Sequence, residues 1–405
     1  MKRIIIHAMK ITLLSIFPSS FDSFLTFPVI RRAIKNNLVE IEVVDIREYT
    51  EGSYRAIDDS PYGGGRGLIL RTDAMMNALS KVKTENSRTI LMGPKGRKFN
   101  QALAREYSKE EHIILIAGHY EGVDERFRAY IDEEVSIGDY ILTGGESAAA
   151  IVAEATIRLL EGALREESAD IESFEENLLE FPQYTHPETY DGVKVPDVLL
   201  KGNKDQIAIY QEREAIRDTI ELRPDLLPSD QEFKYFSLHR NYGNEKEVLH
   251  LLKDRLPVPE IVHSNDEYLL LTKLKGKSLG NASKNKIIRT VSSVLRRLWS
   301  VDIKSCNMRE DRDMTLQRLK NEKLSYEEWE TLKELESTRP EDDNVFSHGN
   351  LKLDNILANG SGLTGVINFQ RAGIADRYRD LASIIDELEE IGIKPEELTS
   401  LLIIY

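Results

Sequence analysis

Residues 137–146 read Ile-Gly-Asp-Tyr-Ile-Leu-Thr-Gly-Gly-Glu and open an alanine-rich helical stretch, Glu146–Leu160. Two similar segments precede it, Met92-Gly93-Pro94-Lys95-Gly96-Arg97 and Ala117-Gly118-His119-Tyr120-Glu121-Gly122. Each stands at the carboxyl end of an apolar run. The runs Ile11–Ile16, Ile41–Val44, Thr89–Met92, Ile113–Ala117 and Ile141–Leu142 predict strands, and amphipathic segments such as Asn100–Tyr107 separate them. Such alternation predicts an α/β fold with a largely parallel sheet. In open α/β sheets ligands bind outside the carboxyl ends of the strands, and glycine lets the main chain approach a flat nucleoside closely. Three converging loops of this kind point to an adenine-containing ligand. A further cluster, Asp58-Asp59-Ser60-Pro61-Tyr62-Gly63-Gly64-Gly65-Arg66-Gly67, lacks the spacing of a P-loop or a dinucleotide fingerprint and reads as a surface turn.

The chain has 405 residues, 41% hydrophobic and 30% charged, which excludes a peptide hormone, a disulfide-held miniprotein or a disordered chain. Cys306 is the single cysteine, so no internal disulfide or cysteine-rich zinc site forms, and a reducing cytoplasm is expected. No run reaches the roughly 18–20 apolar residues that span a bilayer. The start MKRIIIHAMKITLLSIFPSSF has a basic end, but Lys10 interrupts its apolar stretch and no small-residue cleavage pattern follows. Ile11–Ile16 therefore reads as a buried first strand, and no membrane partner is expected. Net charge is −15, of which −11 falls on residues 1–227 (28 basic against 39 acidic side chains). Such a chain repels phosphates at long range, so a nucleic acid must be held by a local basic patch; duplex DNA is not expected.

Residues 161–190 are acidic, poorly periodic and carry Phe181-Pro182 and His186-Pro187, which predicts a long functional loop. A helix over Asp205–Leu222 follows, and Arg223-Pro224-Asp225-Leu226-Leu227-Pro228 reads as a stop and linker. Beyond it the pattern predicts helices over Asn244–Leu256, Asn285–Ser300 and Thr315–Ser337, and strands over Tyr268–Leu274 and Val366–Phe369.

The motifs DDSPYGGGRG (58–67), GPKGR (93–97), GHYEGVDER (118–126), SIGDYILTGGE (136–146), SFEENLLEFPQYTHPE (173–188), VPDVLLKGN (195–203) and RPDLL (223–227) run in the order and spacing of bacterial tRNA (guanine-37-N1)-methyltransferases. Residues 9–227 resemble that family along nearly its whole length. The resemblance implies a SPOUT-class domain with a deep trefoil knot, a small helical tRNA-binding domain, an antiparallel homodimer, S-adenosylmethionine as methyl donor and guanine 37 of tRNA as acceptor. It implies cofactor contacts from Gly118, Ile137, Gly138, Asp139, Tyr140, Ile141 and Leu142, with Met92, Pro94, Gly144 and Gly145 lining the pocket. Guanine N1 carries a proton, so a carboxylate is needed to remove it, and a guanidinium steadies the charge growing on O6. The family's base is an aspartate just before Ser-Phe. Here Glu172 stands in its place, one methylene longer, with Asp170 as reserve, and Arg158 matches the family's arginine. The resemblance also implies Mg²⁺, with Glu121, Glu172 and Glu180 where its carboxylates fall. The helix before RPDLL is less basic than the family's, with Gln211 and Asp218 at positive positions. Arg66, Lys95, Arg97, Lys98 and Lys201 remain as tRNA contacts, and weaker tRNA binding is expected.

From about residue 233 the chain resembles a second family, the aminoglycoside and choline phosphotransferases, which share the protein-kinase-like fold. LPVPEIV (256–262), YLLLTKLKGKSL (268–279), FSHGNLKLDNIL (346–357) and GVINFQRAGIADRYRDLASII (365–385) carry that likeness. Such enzymes place one aspartate on the acceptor hydroxyl and another on Mg²⁺. Asn350 and Asn368 occupy both places here, leaving Asn355 of the usual set, and 228–244 is too short for a glycine-rich hairpin plus the strand with the phosphate lysine. A truncated, inactive α+β kinase-like lobe follows. The expected organisation is a knotted cofactor domain over 1–165, an interdomain catalytic loop over 166–190, a helical tRNA-binding domain over 191–228 and the pseudokinase lobe over 229–405. The competing expectation is a non-catalytic protein that binds S-adenosylmethionine or RNA, fused to that inactive module.

Overall fold

In the strand Ile113–Ala117 successive side chains enter two different cores. Ile113 and Leu115 join Ile11, Leu13, Ile90 and Val135 on one face, whereas Ile114 and Ile116 join Leu14, Val44 and Leu91 on the other. That period of two, apolar at every position, is what a strand covered on both faces requires. The computed structural model describes residues 8–50, 56–65, 67–164, 172–174, 177–308, 343–360 and 362–398. The chain divides into two compact units, residues 1–176 and 177–405.

In the first unit, strands β1 (Met9–Ser15), β2 (Val39–Asp45), β3 (Ser87–Lys98), β4 (His112–Ala117) and β5 (Glu133–Ser136) form one sheet in the order β2–β1–β4–β3–β5, parallel throughout. Helices α1 (Pro28–Lys35), α3 (Gln101–Tyr107) and α4 (Glu146–Ile157) supply the core on one face, and α2 (Thr72–Val82) on the other. Asn100 caps α3 by accepting from the Leu103 amide at 2.9 Å.

The fifth strand is not Ile141–Leu142. Ile141 is 84% exposed and both residues lie in a loop. Glu133–Ser136 takes the edge instead, a segment that half-acidic composition hides. Its carboxylates are tolerated because Glu133 pairs with Arg88 at 2.6 Å and Glu134 with Arg128.

In the second unit a small hairpin (Thr189–Tyr190 with Val193–Lys194) and a one-turn helix (Asp197–Leu200) precede the 19-residue helix α5 (Lys204–Leu222). An antiparallel sheet follows in the order β6–β7–β9–β8, from β6 (Gln231–Glu232), β7 (Phe236–Arg240), β8 (Ile261–Ser264) and β9 (Tyr268–Thr272). Ala215, Ile216 and Ile220 of α5 share a core with Phe236, Leu238 and Leu270 of this sheet. Helices α6 (Glu245–Leu252), α7 (Lys284–Trp299) and α8 (Tyr378–Glu390) build a second core with β10 (Asn344–Ser347), β11 (Ile356–Asn359), β12 (Gly362–Val366) and β13 (Gly373–Asp376). The stretch between Pro228 and Asn244 holds two strands with no lysine in either. Several predicted elements end early: α4 at Ile157, α6 at Leu252, β9 at Thr272, and β12 at Val366, two residues before Asn368 at φ +65°. The predicted helix Thr315–Ser337 lies outside the described residues.

Candidate active site

At the carboxyl end of the parallel sheet lies a crevice of about 300 Å³, walled by 92–94, 118–122, 135–138 and 140–145. Every residue expected to contact cofactor lines it except Asp139, which is exposed and pairs with Lys98 at 3.3 Å. The crevice exists because the loops cross at main-chain distance. Gly145 donates its amide to the Gly118 carbonyl at 2.7 Å, and His119 bridges Gly144. A Cβ on Gly145 would fall 2.8 Å from Ala117 Cα, too close for any side chain. Gly138, at φ +150°, leaves room for the Tyr140 ring and exchanges hydrogen bonds with the Ser136 hydroxyl.

Three supporting residues had no role assigned from the sequence. Glu134 accepts from the Lys95 amide at 3.2 Å and so shapes the 93–96 bulge of β3. The buried Ser15 hydroxyl donates to Glu146 at 2.7 Å and accepts from the Phe17 amide at 2.8 Å, tying β1 to the start of α4. His119 is wedged edge-on between Phe17 and Tyr120. Glu134 with Lys95, Ser15 with Glu146 and His119 with Phe17 are contacts between segments distant in sequence.

Arg158, at the end of α4, meets Glu172 in a two-pronged ion pair, Nη1 to Oε2 at 2.6 Å and Nη2 to Oε1 at 2.8 Å. The Glu172 bonds hold the guanidinium pKa above its ordinary value despite partial burial. Neither side chain lines the crevice of its own chain. The reserve acid Asp170 and the cation Arg66 lie outside the described residues. Glu121 lines the crevice, Glu172 is held by Arg158, and Glu180 belongs to the second unit, where Gln183 donates to it. Among the described residues no group of three or more His, Cys, Asp or Glu could hold a metal ion.

Lys95, Arg97 and Lys98 come together on β3, each more than half exposed and paired with one carboxylate: Glu125, Glu106 and Asp139 respectively. Exposed pairs of this kind are worth at most about 1 kcal/mol, so phosphates can replace the carboxylates at little cost. Lys201 stands in the second unit. On α5 both arginines are held internally, since Arg213 and Arg217 pair with the buried Glu214, and Arg217 also with Asp218, whereas Lys204 at its first turn is exposed.

Residues 9–229 match the family model described as tRNA (Guanine-1)-methyltransferase. The chain belongs to the tRNA (guanine-1)-methyltransferase family. Curated relatives named tRNA (guanine-N(1)-)-methyltransferase include one from Listeria welshimeri, 48% identical over 225 residues, which are 54% of this chain and 92% of the relative. Another, from Dictyoglomus turgidum, is 44% identical over 220 residues, 54% of this chain and 90% of the relative. A third, from Malacoplasma penetrans, is 46% identical over 218 residues, 54% and 96%. Methyltransferase likeness thus ends where the second likeness starts. Residues 233–397 match the phosphotransferase enzyme family.

In that second part the segment 347–350 is anchored by a buried carboxylate. Asp380 accepts from the Ser347 hydroxyl and from the amides of His348 and Gly349, at 2.9–3.1 Å, and burial raises its pKa. Burial pushes His348 down to about 4, so its ring is neutral at pH 7 and Nε2 donates to the Ile367 carbonyl at 3.0 Å. Where carboxylates would hold Mg²⁺ there is a chain of amides. Asn368 donates to Asn355 at 2.7 Å, and Asn355 to the Asn350 carbonyl at 2.9 Å. His239 of β7 bonds Glu245 of α6 at 2.6 Å, and the other Glu245 oxygen accepts from the Phe369 amide at 2.9 Å.

Proposed function

We infer that this chain methylates tRNA, moving a methyl group from S-adenosylmethionine to N1 of guanine 37, in the cytoplasm. One observation carries the reading: three loops turn their main chains into one crevice at the carboxyl end of a parallel sheet, in a chain whose residues 9–229 match the methyltransferase model. S-adenosylmethionine supplies an electrophilic methyl group on sulfur. The loops around Gly118 and 137–145 would hold it, and the glycines at 138, 144 and 145 suit that task because side chains there would fill or distort the cradle. Glu172 takes the N1 proton, and Arg158 neutralises the charge that grows on O6.

Ala148 lines the crevice and Arg158 stands ten residues further along the helix axis, roughly 15 Å at 1.5 Å per residue. An acid held there does not reach an atom in its own chain's crevice. This supports an antiparallel homodimer in which Arg158 and Glu172 of one copy serve the crevice of the other. Phe27, Ile34 and Ile151, exposed on the adjacent α1 and α4, supply apolar surface for such a contact. The tight crossing of 144–145 over 117–119 supports the knotted chain path of the SPOUT class. Lys95, Arg97 and Lys98 form a basic patch for tRNA, and Lys201 is a further contact. No step uses Mg²⁺. The 229–405 region is an inactive kinase-like lobe.

Calorimetry with S-adenosylmethionine, followed by labelled-methyl incorporation into tRNA bearing G36-G37, tests the reading. Incorporation that disappears when G37 is replaced by adenine is expected. Binding without any incorporation selects the second reading, a cofactor-binding protein without turnover, which the longer Glu172 side chain and its two bonds to Arg158 favour.

A further inference from the structure

Strand β9 has two apolar faces. Leu269 and Leu271 enter the core built by α6 and α7, whereas Tyr268 and Leu270 enter the one built by α5, where β7 adds Phe236 and Leu238. All six side chains are at most 4% exposed. A sheet that is apolar on both faces needs a covering layer on each. One layer comes from the lobe's own helices. The other is a helix that falls inside the methyltransferase match, residues 9–229. The change of likeness between 229 and 233 is therefore no physical boundary, since Leu227 and Phe233, on either side of it, are both buried in the α5 core.

Polar contacts close the same seam. The Tyr268 hydroxyl lies 3.1 Å from the carbonyls of Pro224 and of Leu227, just beyond the end of α5. Glu212 of α5 accepts from the Tyr235 amide at 2.8 Å, and Glu221 bonds His263 of β8 at 2.8 Å. Two carboxylates of α5 are thus committed to the lobe. Residues 178–179, which follow the Glu172 segment along the chain, are held as well: Leu178 lies in the α5 core and the Leu179 amide donates to the Thr219 hydroxyl at 2.8 Å. The grip is on the later turns of the helix, where Ala215, Ile216, Thr219 and Ile220 are buried. Its first turn is exposed, and among the described residues neither Lys201 nor Lys204 is in an ion pair. Lys204 precedes Ile216 by about 18 Å along the axis, at 1.5 Å per residue.

We propose that the kinase-like lobe is the scaffold of an RNA-facing helix: its sheet fixes α5 and residues 178–179, so that Lys201 and Lys204 meet tRNA phosphates only while the lobe is folded. A lobe with this task serves methyl transfer without phosphoryl transfer of its own. The RNA part of this inference rests on the methyltransferase reading, and the coupling of α5 to the lobe does not.

Seam variants of the full chain test it. Tyr268→Phe removes the hydroxyl that meets two carbonyls, and Ile216→Ala with Ile220→Ala hollows the α5 side of the sheet. Hydrogen exchange should show amides of 214–220, β7 and β9 opening together, with protection falling by one common factor in each variant. Affinity for tRNA, read by fluorescence anisotropy, should fall about three-fold in Tyr268→Phe and at least about ten-fold in the hollowed variant, with S-adenosylmethionine affinity unchanged. Lys201→Ala with Lys204→Ala should weaken tRNA binding with protection unchanged, and combined with the hollowed seam its loss should be less than additive. The proposal is overturned if β9 loses protection while tRNA affinity stays at the wild-type value, if α5 keeps its protection when β9 loses it, or if the two sets of losses add in full. A wild-type chain that binds tRNA but transfers no methyl group defeats the methyltransferase reading and leaves the scaffold standing. One that binds no tRNA defeats the scaffold's role.

Discussion

Glu172 and Arg158 present two oxygens and two nitrogens to one another, so in the proposed mechanism each exchanges its partner for guanine as the base enters. Glu172→Gln keeps the hydrogen-bonding shape and removes the proton acceptor. It should lower kcat by about 10²–10⁴-fold, the usual worth of a general base, with S-adenosylmethionine affinity unchanged by calorimetry. Arg158→Ala should lower kcat on a similar scale and leave Glu172 without its counter-ion. In the second unit His239 makes a different prediction. Burial opposes its charge, but the bond to Glu245 and the nearby Asp230 and Glu232 outweigh burial, so its pKa is raised. A base whose folded value lies above its unfolded value of about 6.5 stabilises fully below that pH, and the contribution is lost as pH rises through the folded value. Both tryptophans, Trp299 and Trp329, lie beyond residue 177, so tryptophan-detected melting reports on this unit. Its midpoint should fall as pH rises above about 6.5, and His239→Asn should flatten that slope.

At the scale of elements, the glycine loops were readable because each glycine stands where a strand's apolar run ends, and the resemblance assigned them to cofactor. Gly145→Ala forces a Cβ to within 2.9 Å of the Gly118 nitrogen as well as of Ala117 Cα. Overpacking of that kind costs about 1–3 kcal/mol, and with main chain on the other side the loop must move. Loss of S-adenosylmethionine binding in calorimetry, with the fold retained by circular dichroism, is the expected outcome. β5 was not readable. Glu133 and Glu134 are acidic on their face, and only the arrival of Arg88 and Arg128 from other elements makes a strand of them. Ile141 and Leu142 misled for the converse reason: they are apolar and β-prone, yet they serve as an exposed crevice wall.

For the whole molecule, the acidic balance sets how tRNA is held. If the three β3 cations carry tRNA as proposed, with both arginines of α5 already paired, the salt dependence of tRNA affinity should be shallow, and Lys95→Ala should reduce its slope by about 1 in a filter-binding series. No ATP-dependent phosphorylation of an aminoglycoside or other small alcohol is expected, and Asn350→Asp with Asn368→Asp should not produce it, since β6 and β7 carry no lysine for the phosphates. Local chemistry written along the chain determined the parallel α/β layer, the glycine-rich cofactor loops, the family and the two lost carboxylates, because apolar period and motif spacing are properties of neighbouring residues. Tertiary structure alone decided that Arg158 meets Glu172, that Glu133–Ser136 takes the edge of the parallel sheet, and that Asn368, Asn355 and Asn350 form one chain of amides. Those outcomes depend on which distant segments pack within hydrogen-bond reach, and chain order carries no record of that distance.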